Sequence, residues 1–327
     1  MLLVKLILYF CKNESGMGFT ITILGCSSSI PTNERNPSGQ VINYHDKLYL
    51  IDCAEGTQLQ LRRYLNRIQR LHAVFISHLH GDHYFGLVGL ISTLHLLGRN
   101  RELHVYGPQG LEEIIRLQLT YSNTELVYDL FFHVTNPEVS ELIYEDEGME
   151  VITIPLEHRI PTHGFLFREK QGLRNMKKEV VLSEKIPYTE YENIKRGADY
   201  IMEDGTVIPN ASLTVAPAPP RSYAYCSDTR YNESIIPIIK GVDILYHEAT
   251  FLKELSEQAQ LKYHSTGEQA AQIAHLAGAK RLILGHYSAR YDDLNPFLYE
   301  AKPIFNDTEL AYDGLVLNIR KKVVVGK

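Results

Sequence analysis

The sequence predicts an α/β protein, and three observations carry that prediction. Short apolar runs of strand character alternate along the chain with helical segments, the pattern of helices covering a sheet or sheets. Gly- and Pro-rich stretches punctuate these runs at their ends. With 327 residues, 44% of them hydrophobic and 22% charged, the chain can bury a sizeable core, and disordered, fibrous and collagen-like classes are excluded.

The elements follow in order. "FTITILG" (19–25) alternates as a strand does and meets "GCSSSIPTNERNPSG", whose Pro and Gly forbid a helix. "KLYLIDCAEG" is a strand ending on Asp52, followed by an amphipathic helix over 57–68. "HAVFIS" is a short buried strand, and "FGLVGLISTLHLLG" a largely apolar helix stopped by Gly98. "ELHVYG" and "GLEEIIRLQL" repeat the theme. Further on, "SYAYCS", "VDILYHEA", "RLILG" and "GLVLNI" read as strands and "STGEQAAQIAHLAGA" as a helix. Between about 168 and 221 the periodicity is lost and Pro187, Pro209, Pro217, Pro219 and Pro220 accumulate. The front of that segment holds Lys170, Arg174, Lys177 and Lys178 with no acid between them, and it reads as a functional or mobile loop region or a solvated surface insertion.

The charge balance, 33 Lys+Arg against 39 Asp+Glu, gives −6 and at face value argues against bulk nucleic-acid binding. Net charge leaves its distribution open, however. Cys11, Cys26, Cys53 and Cys226 form no C-x-x-C pair, as expected of thiols in a reducing cytosol. The opening "MLLVKLILYF" lacks a basic start and a small-x-small cleavage site, and no run approaches a membrane span of about 18 apolar residues. Residues 1–16 therefore read as a tail or a mis-assigned start before Met17, and the protein as soluble, cytoplasmic and without a membrane partner.

The chemistry concentrates in "FISHLHGDHYFGL", which supplies His78, His80, Asp82 and His83 within six residues. This stretch leaves a buried strand and enters a helix, so it occupies a strand-end loop, where α/β proteins place their sites. His78 and His80 alternate and can point together, while Gly81 turns the backbone so that Asp82 and His83 face a second position. Four N/O ligands in one loop exceed what a single tetrahedral ion takes, which points to two metals.

The H-x-H-x-D-H run resembles that of the metallo-β-lactamase superfamily, which implies an αββα sandwich of two mixed sheets with helices outside, here over 17–327. The resemblance also implies two Zn2+ ions. His78, His80 and His158 would hold the first, Asp82, His83 and His286 the second, with Asp228 bridging. By itself the run fits hydrolases of lactones, thioesters, cyclic nucleotides or lactams. "LGCSSSIPTNERNPSG", "SDTR", "HEATF", "HSTGEQAA", "HYSARY" and "LAYDGLVLNI" together narrow the resemblance to the ribonuclease Z family, from about Phe19 to Ile319. That implies an endonuclease trimming the 3′ end of precursor tRNA, as a homodimer, with a tRNA-gripping arm at about 170–220. In that arm the family's Gly-Pro-rich stretch is replaced by "KIPYTEYEN".

The family reading makes His264 the general acid for the leaving 3′ oxygen and Asp82 the acceptor of a proton from the attacking water. Ser265-x-x-Glu268 reads as a capping box, so His264 lies just outside a helix N-terminus, an end that favours phosphate. Glu248 either orients His264 or is a structural carboxylate, and Ser288 and Arg290 are candidate phosphate contacts, Arg290 equally a candidate ion pair. His163 stands where the family carries an aromatic residue and reads as a packing position.

Overall fold

Alternate apolar residues make the first strand, β1 (Phe19–Gly25), and its neighbours bury both of its faces, so it is an interior strand. The computed structural model describes residues 18–321 apart from 66 and 185, so the tail expected over 1–16 lies outside the described residues. After β1 come β2 (Gly39–Tyr44), β3 (Lys47–Cys53), helix α1 (Thr57–Tyr64), β4 (Leu71–Phe75), the short α2 (Gly81–Tyr84), α3 (Leu87–Leu96), β5 (Leu103–Gly107), α4 (Leu111–Tyr121) and β6 (Leu130–Val134). Joined by the last strand, β18 (Val316–Ile319), they form a seven-stranded sheet in the order β18-β1-β2-β3-β4-β5-β6. Pairing is antiparallel from β18 to β3 and parallel from β3 to β6.

The second sheet begins with β7 (Leu142–Glu145), β8 (Met149–Leu156) and β9 (Thr162–Glu169). The irregular arm follows, with β10 (Asn175–Met176), α5 (Lys178–Ser183), α6 (Tyr191–Lys195), β11 (Tyr200–Ile201), β12 (Val207–Ile208), α7 (Asn210–Leu213) and β13 (Thr214–Val215). The chain returns through β14 (Ser222–Cys226), β15 (Ile244–Glu248), α8 (Ser256–Lys262), α9 (Gly267–Ala277), β16 (Leu282–Gly285), α10 (Asn295–Ala301) and β17 (Thr308–Leu310). The sheet order is β17-β16-β15-β14-β9-β8-β7, parallel among β14 to β17 and antiparallel elsewhere.

Aromatic rings lock the two sheets face to face: Phe75 of the first lies 5.5 Å from Phe165 and 5.3 Å from Phe167 of the second. On the outside of the first sheet, Leu87, Leu90, Ile91 and Leu94 of α3 and Ile115 of α4 bury against Leu50, Val74 and Val105. On the outside of the second, the Ala-rich face of α9 packs on β15 and β16. The expected αββα layering is thus observed. The helix expected over 57–68 stops earlier, at Tyr64, where Leu65 turns extended.

The arm has a small core of its own, Val181, Ile186, Ile194 and Leu213. Its two ends meet at a buried clamp. Glu169 N donates to Arg221 O at 2.8 Å, and the Arg221 guanidinium grips both Glu169 oxygens at 2.9 and 2.8 Å. β9 and β14 remain paired on the sheet side of that clamp, with Ser222 opposite Arg168, so the arm is an insertion at the mouth of a hairpin.

His163 is fully buried on β9, edge-on to Phe165 at 5.1 Å, with Nε2 3.0 Å from Thr135 Oγ1 and Nδ1 without a partner. Burial pushes its pKa down to about 3. Below the unfolded value near 6.5 only the unfolded chain takes up this proton, so stability falls as pH drops toward 3, by up to about 1.4 kcal/mol per pH unit. His163→Phe should flatten this limb, read as midpoint temperature against pH from 7 to 4.

Candidate active site

The site forms where both sheets end. His78, His80, Asp82 and His83 lie on the turn after β4 and in α2; His158 follows β8, Asp228 follows β14, and His286 follows β16. Asp52 (φ 54°), Asp228 (φ 61°) and His286 (φ 58°) all adopt the left-handed region that non-glycine residues avoid, the kind of strain found where side chains must be aimed. All seven sequence-predicted ligands converge: His78, His80, His158 and Asp228 offer atoms within 4.8 Å of one another, and so do Asp82, His83 and His286.

Asp228 stands between the two groups. Its Oδ1 lies 3.2 Å from His83 Nε2 and 3.0 Å from His286 Nε2, while Oδ2 lies 3.7 Å from His78 Nε2 and 3.6 Å from His158 Nε2. One carboxylate oxygen therefore faces each group, the arrangement a bridging ligand needs.

The outer nitrogens of the imidazoles are already committed, which fixes where the inner lone pairs point. His83 Nδ1 donates to Asp52 Oδ2 at 2.7 Å, His158 Nδ1 to the Tyr263 carbonyl at 3.0 Å, and His286 Nδ1 to Thr250 Oγ1 at 3.0 Å. His78 Nδ1 meets Ser77 Oγ at 3.0 Å. What remains is a set of converging acceptors. His80 Nδ1 sits 3.0 Å from His78 Nε2 and 3.2 Å from His158 Nε2, and buried His286 Nε2 makes no hydrogen bond despite its closeness to Asp228. Lone pairs gathered this way repel unless a cation lies among them, so this donor set fits a metal. Burial lowers the pKa of His78. On His83 burial acts in the same direction, but Asp228, Asp52 and Asp82 outweigh it and raise the pKa, so metal loading displaces a proton there. Burial would raise the pKa of Asp82, but His83 and His286 outweigh it and hold it well below the carboxylate range.

Beside this cluster stands a second buried pair. His264 Nδ1 donates to Glu248 Oε1 at 2.8 Å, leaving Nε2 free, and His264 lines a cleft of about 400 Å³ together with His80, Asp82, His158, Arg159 and Asp228. Glu248 is fully buried and saturated: it also accepts from Thr229 N, Thr250 N, Thr250 Oγ1 and Ser265 N. Burial works against a charge on His264, but the Glu248 carboxylate outweighs it and lifts the pKa to about 9. The capping box lies one residue on from the predicted one: Thr266 caps α9 and pairs reciprocally with Gln269, since Ser265 Oγ is used by the Thr229 carbonyl. His264 still precedes the helix.

Other predicted residues are placed differently. Arg290 donates to Ser288 Oγ at 3.1 Å and stacks over Phe251 at 5.0 Å, so Ser288 and Arg290 border the Thr250–Phe251 segment and do not line the cleft. Lys170 pairs with Glu145 at 2.8 Å, Arg174 donates to Thr214 at 2.7 Å and Lys177 to the Ala211 carbonyl at 3.1 Å. These three brace the arm; Lys178 opens α5. Sequence reasoning missed Asp52, which receives Ser77 N and Oγ, His83 Nδ1 and Tyr225 OH, and Thr250, which joins Glu248 to His286. The one available sign was an Asp closing a buried strand. Arg159, exposed at the cleft, was also missed.

Comparison with known proteins bears on this geometry. The chain is 48% identical over 301 residues to "Ribonuclease Z" of Parabacteroides distasonis, covering 92% of this chain and 99% of that one. Its structure matches human tRNase Z, short form, with TM-score 0.67 and 28% identity, over 92% of this chain and 99% of that one. It also matches YhfI, a metallo-β-lactamase fold protein from Bacillus subtilis, with TM-score 0.65 and 19% identity, over 92% and 99%. The fold is therefore that of the metallo-β-lactamases. By sequence the chain belongs to the ribonuclease Z family, and over residues 19–211 it also matches the model of the Anti-Pycsar protein Apyc1 family.

Proposed function

We propose that this ribonuclease Z-type hydrolase is a zinc-dependent endoribonuclease that removes the 3′ trailer of precursor tRNA next to the discriminator base. It would leave a 3′ hydroxyl on the tRNA and a 5′ phosphate on the trailer. The observation that carries the reading is the His264–Glu248 pair set against the seven-ligand cluster in one cleft. Two Zn2+ ions, one among His78, His80 and His158, the other among Asp82, His83 and His286, with Asp228 between, would polarise the phosphate and acidify the attacking water.

The residues do the rest. Ionised Asp82, its Oδ2 held at 2.7 Å by Ser29 N, orients the attacking water toward phosphorus and takes the proton that the water loses as the new P–O bond forms. As the P–O3′ bond breaks, His264 Nε2 gives its proton to the departing O3′, which becomes the new 3′ hydroxyl. Glu248 cannot turn away, because five donors fix it; it keeps His264 protonated and aimed. Arg159 meets phosphate at the cleft. The arm, with Lys178 and its neighbours, docks the tRNA body. The reading extends to a cytoplasmic homodimer; among the described residues no helix is long and apolar enough to cross a membrane.

The test uses the arm's own architecture. Because β9 and β14 stay paired at its root, replacing residues 170–220 with a two-residue turn closes a hairpin and leaves the sheet intact. The variant should hydrolyse a small chromogenic phosphodiester at close to the parent rate. Its cleavage of 3′-extended precursor tRNA should fall on the order of 10²-fold, the scale of lost positioning. Unchanged tRNA cleavage would remove the arm from tRNA docking, and a parent protein that cuts the small phosphodiester but not the precursor tRNA would turn the reading toward a hydrolase of small phosphodiesters.

A further inference from the structure

The cleft has an uneven lining. Its floor is polar and charged, as a phosphate requires, but Ile30, Pro31 and Phe85 also line it, and they offer a phosphate nothing. Phe85 is 62% exposed and Ile30 57%, an apolar surface left open beside the most polar part of the molecule. Phe85 also packs against the metal-ligand turn. Its N–H donates to Gly81 O, and its ring lies so close over Gly81 that a Cβ there would come within 2.2 Å of it. A side chain at position 81 would therefore have to push this ring off the metal-ligand turn. Ile30 is held to the same turn, because its neighbour Ser29 donates N–H to Asp82.

An open aromatic ring beside a polar, charged floor is what a nucleobase adjoining a bound phosphate needs; such stacking is sequence-tolerant because every base has a π-face. We propose that Phe85, seated on Gly81, is the stacking platform for the nucleobase that flanks the scissile phosphate, with Ile30 completing the apolar wall. The inference rests on the phosphodiester-cleaving reading of the site. It makes Phe85 a positioning residue that touches substrate while taking no part in proton transfer.

The experiment has two arms. The first uses the metal-loaded protein and a five-nucleotide RNA with 2-aminopurine on one or the other side of the central phosphate. Stacking quenches the fluorophore, so quenching is expected at one of the two positions. It should be lost in Phe85→Ala and Phe85→Leu and kept in Phe85→Tyr. The second arm reads kinetics on precursor tRNA. Phe85→Leu should raise KM by about 5- to 100-fold, the equivalent of one base stack, with Phe85→Tyr restoring it. An abasic nucleotide at the quenched position should cost the parent enzyme the same factor and cost Phe85→Leu nothing more. Quenching that survives in both Phe85→Ala and Phe85→Leu, or abasic and Phe85→Leu losses that simply multiply, overturns the proposal. If the parent protein fails to cut precursor tRNA, the proposed function falls, and the quenching arm still decides for or against the platform.

Discussion

Asp228→Ala is expected to lose metal and cleavage together. Asp228 is 3% exposed and directs one carboxylate oxygen to His83 and His286 and the other to His78 and His158, so its removal strips both metal groups of their shared anion. His78, His80 and His158 would then face one another with no carboxylate among them, and His83 and His286 would keep only Asp82, so neither group retains an anion shared with the other. Metal content after gel filtration, measured by mass spectrometry, should fall to background, and turnover by at least about 10³-fold, since the charge stabilisation supplied by the metals goes with them. An Asp228→Ala protein that keeps its full metal content would show that the two groups are independent.

His264→Ala should separate the two properties. His264 is tied to Glu248 and is not one of the seven ligands, and His83, His158 and His286 keep their outer partners without it. Metal content should stay at the parent level while precursor tRNA cleavage falls by about 10²- to 10⁴-fold, the range for a lost general acid. Loss of metal in this variant would instead make His264 a ligand, a placement its approach to Asp228 and His286 makes worth testing. The pH profile offers an independent reading. A catalytic acid works while protonated, so with its pKa lifted to about 9 the rate should hold through neutral pH and fall as pH rises past that value. Glu248→Gln removes the charge that lifts it, so this alkaline limb should move to lower pH.

The parts of the site that sequence reveals are those whose chemistry is local. Four ligands sit within six residues of one strand-end turn, and that run carries the family resemblance through which His158, Asp228 and His286, each following an apolar run, were assigned. The layered fold was legible for the same reason: strands such as β1 and β15 and the helix α9 carry clear periodicity. Strands β7 and β17, four and three residues long, carry too little alternation of their own to be read and exist by virtue of their partners, whereas β18, equally short and also at an edge, alternates clearly. The same limit hid Asp52 and Thr250. Asp52 acts through Ser77, His83 and Tyr225, the last 173 positions away, and no spacing rule connects them. Lys170 and Arg174 misled in the opposite direction: within their own motif they look like free cations, but Glu145 and Thr214, which take them up, lie outside it. The net charge of −6 was equally uninformative, since the groups that would meet a phosphate, Arg159 and His264, are gathered at one cleft.

The central claim is that this cleft cuts one phosphodiester bond of precursor tRNA with a proton delivered to O3′. The most direct test maps both ends of the products when zinc-loaded protein acts on a 3′-extended precursor tRNA. The account predicts a single cut after the discriminator base, a tRNA ending in a 3′ hydroxyl that accepts CCA addition, and a trailer bearing a 5′ phosphate. A cut at another position, or a tRNA product carrying a 3′ phosphate, would contradict it.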